Sequence, residues 1–212
     1  MRQADVEFSV RTDLALEERE RIRGSESGIP GIRVQEREKK EGKIRVTEVA
    51  VCDERGAAAM GKPVGLYLTL EAPSLAKKDE DYHRDVSEEL AELLRKLLVE
   101  HGLDSDRMGR PVRTLVVGLG NQEATPDSLG PKVLEHLQAT RHLELEYGVD
   151  FCRKHGYPIL SGITPGVMAQ TGMETAEIVR GIVQETEPDA VIVVDALAAR
   201  SAGRLGVTVQ LS

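Results

Sequence analysis

The sequence predicts an α/β fold, with helices packed on both faces of a mostly parallel, twisted sheet in a three-layer arrangement. Three observations carry this. Short β-branched apolar runs recur at 113–118, 159–163 and 190–194, as strands buried on both faces require. Helix-length amphipathic segments separate them, notably 128–141 and 175–187. The resulting alternation of strand and helix gives right-handed crossovers and parallel neighbours.

The elements follow in chain order. Residues 1–43 are highly charged and poor in apolar periodicity. They read as a polar N-terminal arm, with a solvated helix near Glu17–Arg23 broken by the glycines that follow. The domain proper is expected over 44–212. It opens on a strand at 44–52, then a loop from Gly56 to Gly61. A second strand follows, in which Val64, Leu66, Leu68 and Leu70 alternate with a wetter face. Asp85–His101 is the clearest helix, because Val86, Leu90, Leu93, Leu94, Leu97 and Leu98 trace one stripe and Gly102 stops it. Pro131 suits the first turn of the helix after strand 113–118, where a missing N–H costs little. Pro188 ends the helix that precedes strand 190–194. A last strand-like run, 207–211, is either an edge strand or the sign of a shortened chain.

Composition narrows the function classes. The chain has 212 residues, a net charge of −8 and only six aromatic residues, so its core rests on Val, Leu, Ile and Ala. The acidic balance argues against nucleic acid as a partner. No stretch reaches the ~20 apolar residues of a membrane helix, and the N-terminus lacks an apolar signal core. Cys52 and Cys152 form no metal-ligand spacing, and buried thiols in a reducing cytoplasm are the expectation. The five histidines show no HxH or HxxxH pattern, so no metal and no cofactor is expected.

Two aspartates stand out. Asp127 lies in the loop after the strand ending at Gly118, and Asp195 directly follows Val194. In open α/β sheets the carboxyl ends of the strands form the ligand crevice. Two carboxylates there can divide acid and base duties, and their proximity should raise the pKa of one. Taken alone, Asp127 also suits a helix N-cap, and Asp195 a turn cap or an ion pair with Arg200. Gly118-Leu-Gly120-Asn121 lacks the third glycine of a dinucleotide turn. Its glycines instead let the backbone bring Asp127 back over the sheet. Backbone N–H groups at Gly118, Gly120 and Asn121, and in the loop from Thr164 through Gly166, are candidates for holding an oxyanion.

Several strings together resemble the spore germination protease family. They are Gly118–Asn121, Thr125-Pro-Asp-Ser-Leu-Gly-Pro131, Thr140-Arg-His142, Thr164-Pro-Gly-Val-Met168, Gly172-Met-Glu-Thr175 and Val194-Asp-Ala-Leu-Ala-Ala-Arg200, with Val10-Arg-Thr-Asp-Leu-Ala15 near the start. The resemblance implies an atypical aspartic endopeptidase that degrades small acid-soluble spore proteins in the cytoplasm of the spore core. Its fold would be like that of hydrogenase-maturation proteases and phosphorylases. Asp127 and Asp195 match the family's functional aspartates. The resemblance also implies a zymogen with a propeptide of about 1–13, cut between Asp13 and Leu14, and a homotetramer. Family members continue past Arg200 for longer than this chain does, so a C-terminally truncated chain is expected. Two rivals share the pattern: a metal-dependent endopeptidase of hydrogenase-maturation type, and an inactive scaffold on the same fold.

Overall fold

The computed structural model describes residues 12–22 and 30–212, which fall into two compact units, 1–97 with 197–212 and 98–196. The sequence reading instead groups 44–212 as one domain behind an arm. Of the expected propeptide, only Thr12 and Asp13 lie within the described residues.

The first unit opens on helix α1 (Ala15–Ile22), followed by strands β1 (Ile32–Lys39) and β2 (Ile44–Val51). Helix α2 (Glu54–Met60) occupies the expected loop. Asp53 caps it by accepting from the Gly56 N–H, and Gly61 ends it at φ 62°. Strand β3 (Gly65–Glu71) and helix α3 (Glu80–Glu100) come next. α3 starts five residues earlier than its stripe predicts, where the Asp79 carboxylate accepts from the Tyr82 N–H.

β1 pairs antiparallel with β2 along its whole length, and β2 with β3. Sequence reasoning leaves β1 in the arm because only Ile32 and Val34 in it are apolar. Alternation along β2 and β3 feeds two cores. Ile44, Val46, Leu68 and Leu70 pack with Tyr82, Val86, Leu93 and Leu97 of α3. Val49, Val51 and Tyr67 pack with Ala15 and Met60 on the other side. The face of β3 expected to be wet is therefore covered: Tyr67 and Thr69 are buried, and the Tyr67 hydroxyl donates to the Pro63 carbonyl.

The segment read as a solvated helix also departs from expectation. Leu14, Ala15 and Leu16 are buried, and so are Glu17 and Arg19. The Glu17 carboxylate accepts from the N–H groups of Arg200 and Ser201 and from the Arg204 guanidinium. Burial alone would push the Glu17 carboxyl up. These bonds, with one from the Thr12 hydroxyl, outweigh burial and hold it below its ordinary value.

The second unit runs through α4 (Ser105–Met108), β4 (Arg113–Gly118), α5 (Leu129–Glu135), α6 (Arg141–Tyr147), α7 (Val149–His155), β5 (Ile159–Ile163), α8 (Met168–Thr171), α9 (Thr175–Thr186) and β6 (Ala190–Val194). Its sheet is parallel in the order β5-β4-β6. The Arg110 guanidinium grips Asp189 with two bonds of 2.6 and 2.7 Å, and the Arg113 N–H adds a third. This fixes the starts of β4 and β6 and holds the Asp189 carboxyl below the usual carboxylate range. β4 is buried from Thr114 to Gly118. β6 is not buried on both faces as expected: Val191 and Val193 are exposed.

The final strand, β7 (Thr208–Leu211), returns to the first unit and pairs antiparallel with β3 at the end of the order β1-β2-β3-β7. Among the described residues the fold is thus α/β with a four-stranded antiparallel sheet and a three-stranded parallel one. β1 and β2 are joined by a short turn at 40–43, as an antiparallel pair allows, whereas β3 and β7 are far apart in the chain. No helix among the described residues is long and apolar enough to cross a membrane.

Candidate active site at the carboxyl edge of the parallel sheet

β4 is the middle strand of the parallel sheet, so the chain leaving it emerges between the ends of β5 and β6. The ladder continues one step beyond the strands, where the Leu119 N–H donates to the Val194 carbonyl at 2.8 Å. Gly120 then turns at φ 115°, and a Cβ there would stand 2.0 Å from the Asp127 carbonyl oxygen. Only glycine fits both the turn and the approach.

Asp127 is brought back by this turn. The Asn121 N–H donates both to the Asp127 carbonyl oxygen at 3.0 Å and to its Oδ2 at 2.9 Å. The carboxylate thus faces the glycine turn. α5 has no side-chain cap from Ser128 at its N-cap, and Asp127 does not serve as one. The loop is fixed by further local bonds, from Glu123 N–H to Asn121 Oδ1 and from Asp127 N–H to the Ala124 carbonyl.

Asp195 leaves the end of β6, with its Oδ1 accepting from the Ala196 N–H at 2.8 Å. It is exposed, whereas Asp127 is half-buried. Arg200, considered above as an ion-pair partner of Asp195, pairs within its own unit with Glu18 at 3.1 Å. The starts of both aspartate segments touch through Gly130. A Cβ on Gly130 would lie 2.3 Å from the Leu119 carbonyl oxygen and 2.6 Å from that of Val194, the residue before Asp195. Gly118 packs as closely, its Cβ position being 2.4 Å from the Gly130 carbonyl oxygen. Asp195 thus directly follows β6, and Asp127, nine residues beyond β4, is folded back onto the turn that leaves that neighbouring strand.

Thr164 and Gly166 follow β5 on the opposite side of β4, and Gly166 adopts φ 75°. Thr164 lines a cavity of about 330 Å³, with Pro131, Leu134 and Leu137 as apolar walls and Gln122 and Glu135 as a bonded polar pair. Gly162 makes room for it, since a Cβ there would meet the tips of Leu134 and Leu137. Sequence reasoning names neither Gly130 nor Gly162 as a site residue. For Gly162 the available signal is a glycine inside a strand, which marks a close approach; Gly130, inside α5, carries no such signal. Of the oxyanion candidates, the Asn121 N–H is engaged by Asp127, and the Leu119 N–H between the glycines is taken by Val194. Asp13 and Leu14 lie in the first unit, with Leu14 buried. Among the described residues, no three His, Cys, Asp or Glu side chains gather closely enough to share a cation.

A family model described as germination protease matches residues 9–212. The chain belongs to the germination protease family. A germination protease of Caldanaerobacter subterraneus subsp. tengcongensis is 44% identical over 209 residues, covering 97% of this chain and 59% of the relative. One from Clostridium tetani is 42% identical over 205 residues, covering 96% of this chain and 60% of the relative. One from Bacillus cereus strain G9842 is 42% identical over 209 residues, covering 97% of this chain and 54% of the relative. The chain therefore spans little more than half the length of these family members.

Proposed function

We propose that the chain carries the catalytic centre of an endopeptidase of spore germination, and that Asp127 and Asp195 activate water between them. One observation carries the reading: Asp195 directly follows β6, and a glycine turn after the adjacent strand β4 brings the Asp127 carboxylate back to the Asn121 N–H at that strand's exit. Family membership supports the same assignment. One aspartate, ionised, takes a proton from water as it attacks the scissile carbonyl. The other, protonated, donates its proton to the carbonyl oxygen; the first then passes the proton it took from water to the leaving amine as the C–N bond breaks, and the second recovers a proton from a hydroxyl of the collapsing tetrahedral diol. With Leu119 and Asn121 already engaged, the Gly120 N–H and the Thr164–Gly166 loop take the oxyanion role. The cavity beside Gln122 and Thr164 receives an apolar side chain flanking the cut.

The substrate class is small acid-soluble spore proteins of the spore core, cut after an acidic residue and before an apolar residue and alanine. The Thr12-Asp-Leu-Ala15 string repeats that pattern, so the same centre removes the propeptide between Asp13 and Leu14 in a zymogen that assembles as a homotetramer. No cofactor enters the scheme. The parallel unit is the part we liken to the hydrogenase-maturation-protease fold.

The test uses the purified chain, incubated alone and with a small acid-soluble spore protein, with fragments and new N-termini mapped by mass. A new start at Leu14 and substrate cuts after acidic residues are expected. Both should vanish in Asp127→Asn and in Asp195→Asn while thermal unfolding stays the same. Undiminished cutting in either variant removes that aspartate from the mechanism.

A further inference from the structure

The peptide bond between Asp13 and Leu14 is held on every side within the first unit. The Asp13 N–H donates to the Ala198 carbonyl at 2.9 Å, and the Ala198 N–H donates back to Asp13 Oδ2 at 3.0 Å. The Asp13 carbonyl oxygen accepts from Lys62 Nζ at 2.8 Å and from Gln210 Nε2 at 3.1 Å. On the far side of the bond, the Leu14 N–H donates to Thr12 Oγ1 at 3.2 Å. Gln210 also accepts from the Ala15 N–H through Oε1 at 2.7 Å. Its one amide therefore brackets Leu14, reading the backbone before and after it as a neighbouring strand would.

The two side chains that meet the Asp13 carbonyl are themselves well placed. Lys62 follows Gly61, the left-handed end of α2, and lies over the Tyr67 ring with Nζ 5.7 Å from its centroid. Gln210 sits in β7 opposite Thr69 of β3. Downstream, Leu14, Ala15 and Leu16 are 1%, 0% and 4% exposed, and Ala15 begins α1. An endopeptidase needs a stretch of accessible, extended backbone, which is why cutting concentrates at exposed loops. Downstream of the Asp13–Leu14 bond the chain is buried and turns helical from Ala15, so that side offers no accessible, extended run.

We propose that Lys62 and Gln210 form a lock on this bond. Any cut there, by this chain or another protease, requires Lys62 and Gln210 first to release the Asp13 carbonyl. The lock then decides when the N-terminal segment can be removed. Its use in timing self-processing rests on the function proposed above, but its existence does not.

The experiment separates the two. Full-length protein carrying Asp127→Asn is treated with an endopeptidase specific for acidic residues. Cutting after Asp13 is compared with cutting after Glu41, which sits exposed in the turn between β1 and β2 and serves as an internal reference. Where opening is fast relative to cutting, the rate follows the open population. Lys62→Met removes one bond and should raise the ratio of cuts about tenfold. Gln210→Leu removes two and should raise it on the order of a hundredfold. Lys62→Arg, which keeps a donor, should stay near the parent. A ratio unchanged in both Lys62→Met and Gln210→Leu overturns the lock. So does a parallel rise at Glu41, because the substitutions would then be loosening the whole unit. Failure of the chain with Asp127 intact to trim itself, with the ratio behaving as expected in Asp127→Asn, refutes only the proposed function.

Discussion

Gly130 makes a demanding prediction, because the space around it is closed by backbone on three sides. In Gly130→Ala the new methyl would stand 2.3 Å from the Leu119 carbonyl oxygen, 2.5 Å from its nitrogen and 2.6 Å from the Val194 carbonyl oxygen. None of these atoms belongs to a side chain that can swing aside. Reaching even 3.0 Å from the nearest demands that α5 retreat from β4 and β6 by about 0.7 Å. Overpacking of this kind costs about 1–3 kcal/mol. The Leu119–Val194 hydrogen bond runs through the crowded point, and losing it adds about 1 kcal/mol. The expected loss is therefore about 2–4 kcal/mol. For a unit of this size it lowers the melting temperature by on the order of 10 °C or more. Calorimetry and urea melts of the full chain measure it. Gly181→Ala is the matched control, since nothing lies within 4 Å of its Cβ position and the site is inside α9. It should gain about 0.5–1 kcal/mol from helix propensity. Were Gly130→Ala to melt like its parent while keeping its urea slope, the close approach of α5 to the two strand ends would be refuted.

Two further predictions concern carboxylates that several donors hold. Asp189→Asn removes the charge gripped by Arg110 and should cost about 2 kcal/mol near neutral pH. Because the Arg110 bonds depress the Asp189 carboxyl, its contribution is present above the ordinary carboxylate pKa and fades as pH falls towards the folded value. Urea melts of parent and variant should therefore converge in acid, and a gap that persists below about pH 2 contradicts the assignment. Glu17→Gln should speed amide exchange across Ala15–Ile22, since the Arg200, Ser201 and Arg204 contacts all end on that carboxylate. The Glu17 carboxyl is also held low against its own burial, so the parent should lose the same protection on acidification. Exchange that is indifferent to both changes would mean α1 is anchored by its leucines alone.

How much of this was legible in the sequence depended on where each residue finds its partners. The second unit reads well because its strands are short apolar runs whose neighbours lie one crossover away. β4, β5 and β6 fall within a residue of their expected bounds, which puts Asp195 directly after β6 and Asp127 in the loop after β4, while the helix expected over 128–141 stops at Glu135. Residues 141–155 hide two helices, because α6 and α7 are only seven residues each and too short for a periodic stripe. The first unit reads poorly for a different reason. Glu17 and Arg19 look like a solvated face until Arg200, Arg204 and Glu36 are brought to them from distant parts of the chain. β1 is mostly charged, and only the register with β2 makes it a strand. Lys62 and Gln210 belong to no motif, and their meeting at one carbonyl is a property of the folded chain alone.

The return of β7 to β3 makes the first unit discontinuous, with residues 98–196 inserted within it. During synthesis, every strand of the inserted unit leaves the ribosome before β7 exists. The inserted body can fold at once, while β3 waits with a bare edge beside Leu68 and Leu70. An unpaired edge of that kind invites pairing with other chains. Arrested translation or C-terminal nicking should therefore leave a species whose parallel sheet is intact and whose antiparallel sheet is sticky.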